Sequence, residues 1–178
     1  MDALKRAEVS SVSTEPYVIR NAHPDEASLL SELAFRSKAY WGYSLEFLES
    51  CRSELTVDAS RIGADDYRCI VAADKASILG FYTVESVQDG VYELEALFVE
   101  PEHIGTGIGR SLIQHAISRL SERRASRLII QGDPNAARFY VAAGARQVGF
   151  RESNSIPGRH LPLFEIEFAG RSTAGIGR

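Results

Sequence analysis

A chain of 178 residues with 44% hydrophobic and 25% charged residues is long enough to bury one core without disulfide or metal staples, which excludes wholesale disorder. Its net charge of −4 argues against nucleic acid or an anionic membrane as a partner, and the basic cluster Arg119, Arg123, Arg124 and Arg127, interrupted by Glu122, reads as a solvated helix end. No apolar run is long enough to cross a bilayer and the polar N-terminus does not resemble a signal peptide; Cys51 and Cys69 read as buried thiols of a reduced compartment, so a cytoplasmic protein is expected.

Residues 1–15 carry no apolar period and read as a loose arm. Tyr17 to Arg20 reads as a short strand. Pro24, followed by Asp25 and Glu26, opens a helix whose buried face is expected to hold Leu29, Leu30, Leu33 and Ala34. Ser44 is the expected N-cap of a second helical piece, with Leu45, Leu48 and Cys51 on its apolar side. The aromatic-rich joint Lys38 to Tyr43 lies between the two helices.

From Tyr67 the pattern becomes that of strands. Cys69 to Ala73, Ile78 to Val87 and Val91 to Val99, separated by Asp74-Lys75 and Asp89-Gly90, read as an antiparallel meander. After Pro101 and Gly105-Thr106-Gly107, the residues Ile108, Leu112, Ala116 and Leu120 fall on one helical face. Arg127 to Ile130 is the next strand, and Asp133-Pro134 starts a helix bearing Phe139, Tyr140 and Ala143 that stops at Gly144. Arg146 to Phe150 and Leu161 to Phe168 complete the strands, the second alternating Phe164, Ile166 and Phe168 with Glu165 and Glu167. The Gly-Ile-Gly-Arg at Gly175 to Arg178 copies Gly107 to Arg110 without a framing element and reads as coincidence in a frayed tail over 170–178. One domain over 16–169 with a mixed sheet and helices on its faces is expected.

The segment that carries chemistry runs from Glu93 to Arg110. A strand enters a turn whose glycines lack Cβ, so that successive amides converge on one point. The following helix adds its unsatisfied first-turn donors and the positive end of its dipole. Those features describe a pyrophosphate site. The spacing is G-x-G-x-G and lies past mid-chain, which fits poorly with the dinucleotide fingerprint. No Lys-Ser or Lys-Thr follows, so the phosphate-loop motif fails as well.

Leu97-Phe98-Val99-x-Pro-x-x-Ile-Gly-Thr-Gly-Ile-Gly-Arg resembles motif A of the GNAT superfamily of N-acetyltransferases. Asp133-Pro134-Asn135-Ala136-Ala137-Arg138-Phe139-Tyr140, ending at Gly144-Ala145, resembles motif B. The resemblance covers Tyr17 to Phe168. It implies a mixed α/β fold with a mostly antiparallel sheet of six to seven strands, a splayed parallel pair and about four flanking helices. It implies acetyl-CoA as co-substrate, with no metal. Pantetheine would pair with backbone near Phe98 and Val99, pyrophosphate would sit on the amides of Gly105, Thr106, Gly107, Gly109 and Arg110, and Asn135 would touch the pantetheine arm. Ile104 departs from the pattern, since Arg or Gln usually stands there.

Direct transfer to an amine needs a base for the amine proton and an acid for the departing thiolate. Tyr140 is the candidate acid, because similar proteins place a tyrosine beside the sulfur at this point; the alternative is an amphipathic core tyrosine with its hydroxyl bonded nearby. Glu93 and Glu95 are candidate bases on one strand face unless a bulge intervenes, Glu95 being nearer the splay. The alternative for both, an ordinary solvated face, stays open. Trp41 and Tyr43 are candidate acceptor-wall residues or, in the alternative reading, aromatics that staple two helices to the sheet, and Arg159 is a candidate partner for a substrate carboxylate. The expected activity is transfer of an acetyl group to a small-molecule amine. The alternatives are a non-catalytic acyl-CoA sensor and a nucleotide-phosphate binding module. Homodimers through sheet edges or domain packing are common in proteins of this kind, and the oligomeric state stays open here.

Overall fold

Seven strands form one sheet in the order β1-β2-β3-β4-β5-β7-β6 in a computed structural model that describes residues 16–168. The strands are β1 (Val18–Asn21), β2 (Tyr67–Ala73), β3 (Ile78–Gln88), β4 (Val91–Val99), β5 (Arg127–Gln131), β6 (Arg146–Glu152) and β7 (His160–Glu167). The helices are α1 (Ala27–Ala39), α2 (Leu45–Ser50), α3 (Arg52–Leu55), α4 (Ile108–Glu122) and α5 (Ala137–Ala142). This is the expected mixed α/β architecture. The arm over 1–15, the tail over 170–178 and the repeat at Gly175 to Arg178 lie outside the described residues.

Helices on both sides of the sheet give two cores. Leu30, Leu33 and Ala34 of α1 pack with Val71, Cys69 and Phe81 on one face. Ile108, Leu112, Ala116 and Leu120 of α4 pack with Ala72, Tyr82, Leu128 and Ile130 on the other. That sandwiching explains why β2 is a near-continuous apolar run rather than an alternating one. Leu29 and Leu45, expected to be buried, are 57% and 67% exposed. The buried face of α1 runs through Ala27, Leu30, Leu33, Ala34 and Ser37, and Leu29 stands one residue, about 100°, off it. The short α2 buries Leu48, and the next residue but two, Cys51, is also buried, while Leu45 occupies its exposed first turn; Ser44 caps it as expected by accepting from the Phe47 amide.

All strand pairs are antiparallel except β4–β5, and that parallel pairing runs only from Val91↔Arg127 to Leu94↔Ile130. Against β3 the register shifts in the same place: Thr83 faces Ala96 but Val84 faces Leu94, leaving Glu95 as an extra residue. A bulge bends its strand and increases local twist. Here β4 leaves β5 where Glu95 is inserted. The inserted residue also exchanges the faces of the strand: Tyr92 and Leu94 lie with the α4 core, and so do Leu97 and Val99, while Ala96 and Phe98 pack with the α1 core.

The sheet and α4 approach closely at Gly80, where an added Cβ would stand 2.8 Å from Phe98 O and 3.1 Å from Leu112 Cδ1. Gly80→Ala is therefore expected to destabilise the protein by about 1–3 kcal/mol through overpacking. Urea unfolding at constant m-value measures it; an unchanged midpoint would refute the close contact.

Candidate active site at the parting of β4 and β5

The glycine turn after β4 has the conformation its sequence requires. Gly105 and Gly107 have φ of +84° and +99°, with nothing within 4 Å of a Cβ at either position. Backbone strain, not crowding, therefore calls for glycine there. Gly107 caps α4 without any side-chain hydrogen bond, and the first-turn amides of Ile108, Gly109 and Arg110 have no acceptor within the helix. The cradle is thus open, positive and lined with free donors. Thr106 is the exception among the expected binding residues. Its amide and hydroxyl both donate to His103 O, at 3.2 and 2.7 Å, and it does not line the cavity below.

Beyond Glu95 the edge of β4 is free of β5. The Glu100 amide donates to Leu79 O, so by alternation the main-chain groups of Phe98 also point to β3, and those of Leu97 and Val99 point to the free edge. Sequence reading assigned edge pairing to Phe98 and Val99; with the bulge in place, Leu97 takes the position expected of Phe98. The Val99 amide donates to the buried Ser37 hydroxyl at 3.3 Å.

A single cavity of about 710 Å³ joins the cradle to the opened strands. Its walls include Gly105, Gly107, Gly109 and Arg110 at one end, Leu97, Val99 and Asn135 between, and Trp41, Arg61, Glu93, Glu95 and Tyr140. Both candidate bases thus face the cavity, but they are held differently. Glu93 is ion-paired to Arg151 of β6, which also donates to Gln131 at 3.1 Å. Glu95 keeps a third of its side-chain surface exposed, and burial of the rest, with Glu85 beside it, pushes its carboxyl up to about 7 against the pull of Arg61. Tyr140 is 7% exposed, packed against Phe139 and Phe164, and burial raises its phenol far above the ordinary range. Cys51 and Cys69 are buried and burial raises both thiols, so neither is an activated nucleophile. Among the described residues no group of three or more His, Cys, Asp or Glu is placed to hold a metal ion.

The acetyltransferase (GNAT) family matches residues 34–145, the stretch that holds the bulged strand, the cradle and α5. The chain belongs to this family. It is 28% identical over 149 residues to the 5-NmdU N-acetyltransferase of Pseudomonas phage PaMx11, covering 83% of this chain and 97% of that protein. It is 30% identical over 77 residues to the peptidyl-lysine N-acetyltransferase YjaB of Escherichia coli K12, covering 43% of this chain and half of that one. The PaiA N-acetyltransferase of Thermoplasma acidophilum, solved with coenzyme A, superposes with a TM-score of 0.69 at 20% identity over 85% of this chain and 99% of that chain, a likeness of fold.

The second GNAT motif is organised by Asp133. Its carboxylate accepts from the Asn135 amide at 2.9 Å, capping the turn Pro134–Ala136 before α5. It also accepts from Tyr43 Oη at 2.9 Å and sits 3.3 Å from Lys38 Nζ. Arg159 donates to Tyr43 Oη at 3.0 Å and lies over the Phe47 ring. Tyr43, expected on the acceptor wall, and Arg159, expected to meet a substrate carboxylate, are therefore drawn onto Asp133 and do not line the cavity, whereas Trp41 does. Asn135 lines the cavity, with its amide nitrogen donating to Asp133 at 3.0 Å and Tyr43 at 3.2 Å. The sequence reading missed this cluster because Lys38 and Tyr43 lie 90 or more residues from Asp133, and missed Arg61 because no element was assigned between Arg52 and Asp66.

Burial works to raise the Asp133 carboxyl, but the Asn135 amide, Lys38 and Tyr43 outweigh it and hold it below the usual range. A depressed folded value means its stabilisation is present above the ordinary carboxylate pKa and lost as pH falls through the lowered one. Asp133→Ala, which removes the cap and strands Lys38, is expected to cost about 3 kcal/mol near neutral pH, with the difference from native narrowing in acid. Denaturant titrations at two pH values test both statements.

Proposed function

We propose that the protein is an N-acetyltransferase that moves an acetyl group from acetyl-CoA to the amine of a small molecule by direct attack. The observation that carries this reading is the continuity of the cavity, which runs from the open glycine cradle along the free edge of β4 to Glu95 and Tyr140. The residues fit acetyl-CoA: unpaired amides and a helix N-terminus suit a pyrophosphate, and a free strand edge suits an amide-bearing arm.

In this reading the amides of Gly105, Gly107, Ile108, Gly109 and Arg110 bind pyrophosphate, Leu97 and Val99 pair with pantetheine, and Asn135 touches the same arm. Glu95, with a pKa near 7, takes one proton from the acceptor ammonium, and the neutral amine so formed bonds through its lone pair to the thioester carbonyl carbon. Such a value suits a base working near neutrality, because the group is both substantially ionised and basic enough to accept. Tyr140, kept protonated by burial, donates to the sulfur as the carbon–sulfur bond breaks, and the second proton leaving the nitrogen of the tetrahedral intermediate restores the phenol. Glu93, committed to Arg151, is the weaker candidate base. Trp41 remains as an acceptor-wall residue.

Isothermal titration is expected to give micromolar binding of acetyl-CoA that is abolished in Gly107→Asp with Gly109→Asp; a folded native protein that does not bind would refute the reading. In an amine-acceptor screen read by thiol release, kcat/KM is expected to rise with pH through about 7 as Glu95 ionises. Glu95→Gln should lose that inflection and about 10²–10⁴-fold in rate. Tyr140→Phe keeps the ring packing and is expected to lower kcat about 10²-fold with little change in acetyl-CoA affinity; equal rates would remove Tyr140 as the acid.

A further inference from the structure

Arg61 ends the short 3₁₀ turn Ala59–Arg61 and reaches across to the sheet. Its Nη2 lies 2.7 Å from Glu85 Oε1 on β3 and its Nη1 3.3 Å from Glu95 Oε2 on β4. Its Cζ stands 4.2 Å from the centroid of the Tyr67 ring on β2. One guanidinium thus joins a wall of the cavity to three adjacent strands. Arg61, Tyr67 and Glu95 line the cavity, and Glu85 does not.

The carboxylates need this cation. Glu85 stands opposite Glu93 in the β3–β4 register, and the bulge adds Glu95 to the same patch. Like charges facing one another across strands are destabilising. Two guanidiniums divide the three acids: Arg151 takes Glu93, and Arg61 takes Glu85 and Glu95 together. The planar fork of arginine can hold two carboxylates at once and stack on an aromatic ring, which a lysine ammonium cannot reproduce.

We propose that Arg61 and Glu85 are positioning residues for Glu95, the guanidinium fixing its carboxylate at the cavity wall and the second carboxylate opposing its ionisation. This rests on the reading of Glu95 as the base. The charged or titratable groups facing Glu95 are Arg61 from the turn, Tyr67 from β2, Glu85 from β3 and Glu93 on its own strand. A cation in contact favours the charged form, and a neighbouring carboxylate disfavours it. The balance leaves the carboxyl able to accept a proton from an amine, yet anchored by a residue from a turn outside the sheet.

The test uses the full chain without substrate: carbon-13 NMR titration of the glutamate carboxyls, with Glu95 assigned by its disappearance in Glu95→Gln. The native Glu95 midpoint is expected near pH 7. Glu85→Gln should lower it by about one unit or more, Arg61→Gln should raise it by about one unit, and Arg61→Lys should fall between native and Arg61→Gln. A merely structural role would change stability and leave the midpoint in place. A midpoint that moves in neither Arg61→Lys nor Glu85→Gln would overturn the inference, and the lysine variant keeps the test open should the glutamine variant not fold. Midpoints that move as stated, with full acetyl-transfer rate retained in Glu95→Gln, would instead overturn the assignment of Glu95 as the base.

Discussion

One extra residue in β4 determines where the site lies. Glu95 has no partner in the β3 register, and the parallel pairing with β5 ends at Leu94. The bend that a bulge imposes separates two neighbouring strands that would otherwise satisfy one another. It releases the edge groups of Leu97 and Val99 and turns Leu97 and Val99 toward the core under α4. Without it, the glycine cradle would follow a closed sheet and the cavity would have no floor of free backbone groups.

The same residue gathers the charge. A strand that inserts Glu95 beside the facing pair Glu85 and Glu93 accumulates three carboxylates, and the structure answers with guanidiniums from two distant segments, Arg61 and Arg151. Neither arginine lies on the meander. The base candidate is therefore held by Arg61, which arrives from a turn outside the sheet, and its affinity for protons is a property of the folded arrangement.

Asp133 performs the corresponding task at the other wall. One carboxylate caps the turn into α5, which carries Tyr140, and binds Lys38 and Tyr43 from the end of α1 and the joint after it. Because a buried acid must satisfy several lone pairs, its partners fix the distance between the N-terminal helices and the second motif. Tyr43 and Arg159 serve this closure, and their aromatic and cationic character is spent on each other and on Phe47.

By itself the sequence determined what depends on local chemistry. Period-2 and helical spacing placed the strands and α4, Ser44 and Asp133 announced their caps, and the glycines at 105 and 107 marked left-handed backbone before a helix; all of these are constraints among residues a few positions apart. Both glutamates on β4 and Tyr140 were also legible as candidates, since residue type and strand position suffice to nominate them. What the tertiary structure alone decided was pairing. Leu29 turned outward because burial depends on which face meets the sheet. Leu97 replaced Phe98 at the free edge because an inserted residue shifts every hydrogen-bonding direction after it. Tyr43 and Arg159 left the cavity wall for Asp133, and Arg61 reached Glu95, because a charge buried by folding takes its partner from whatever segment the topology brings within about 3–4 Å, and sequence separation carries no record of that distance.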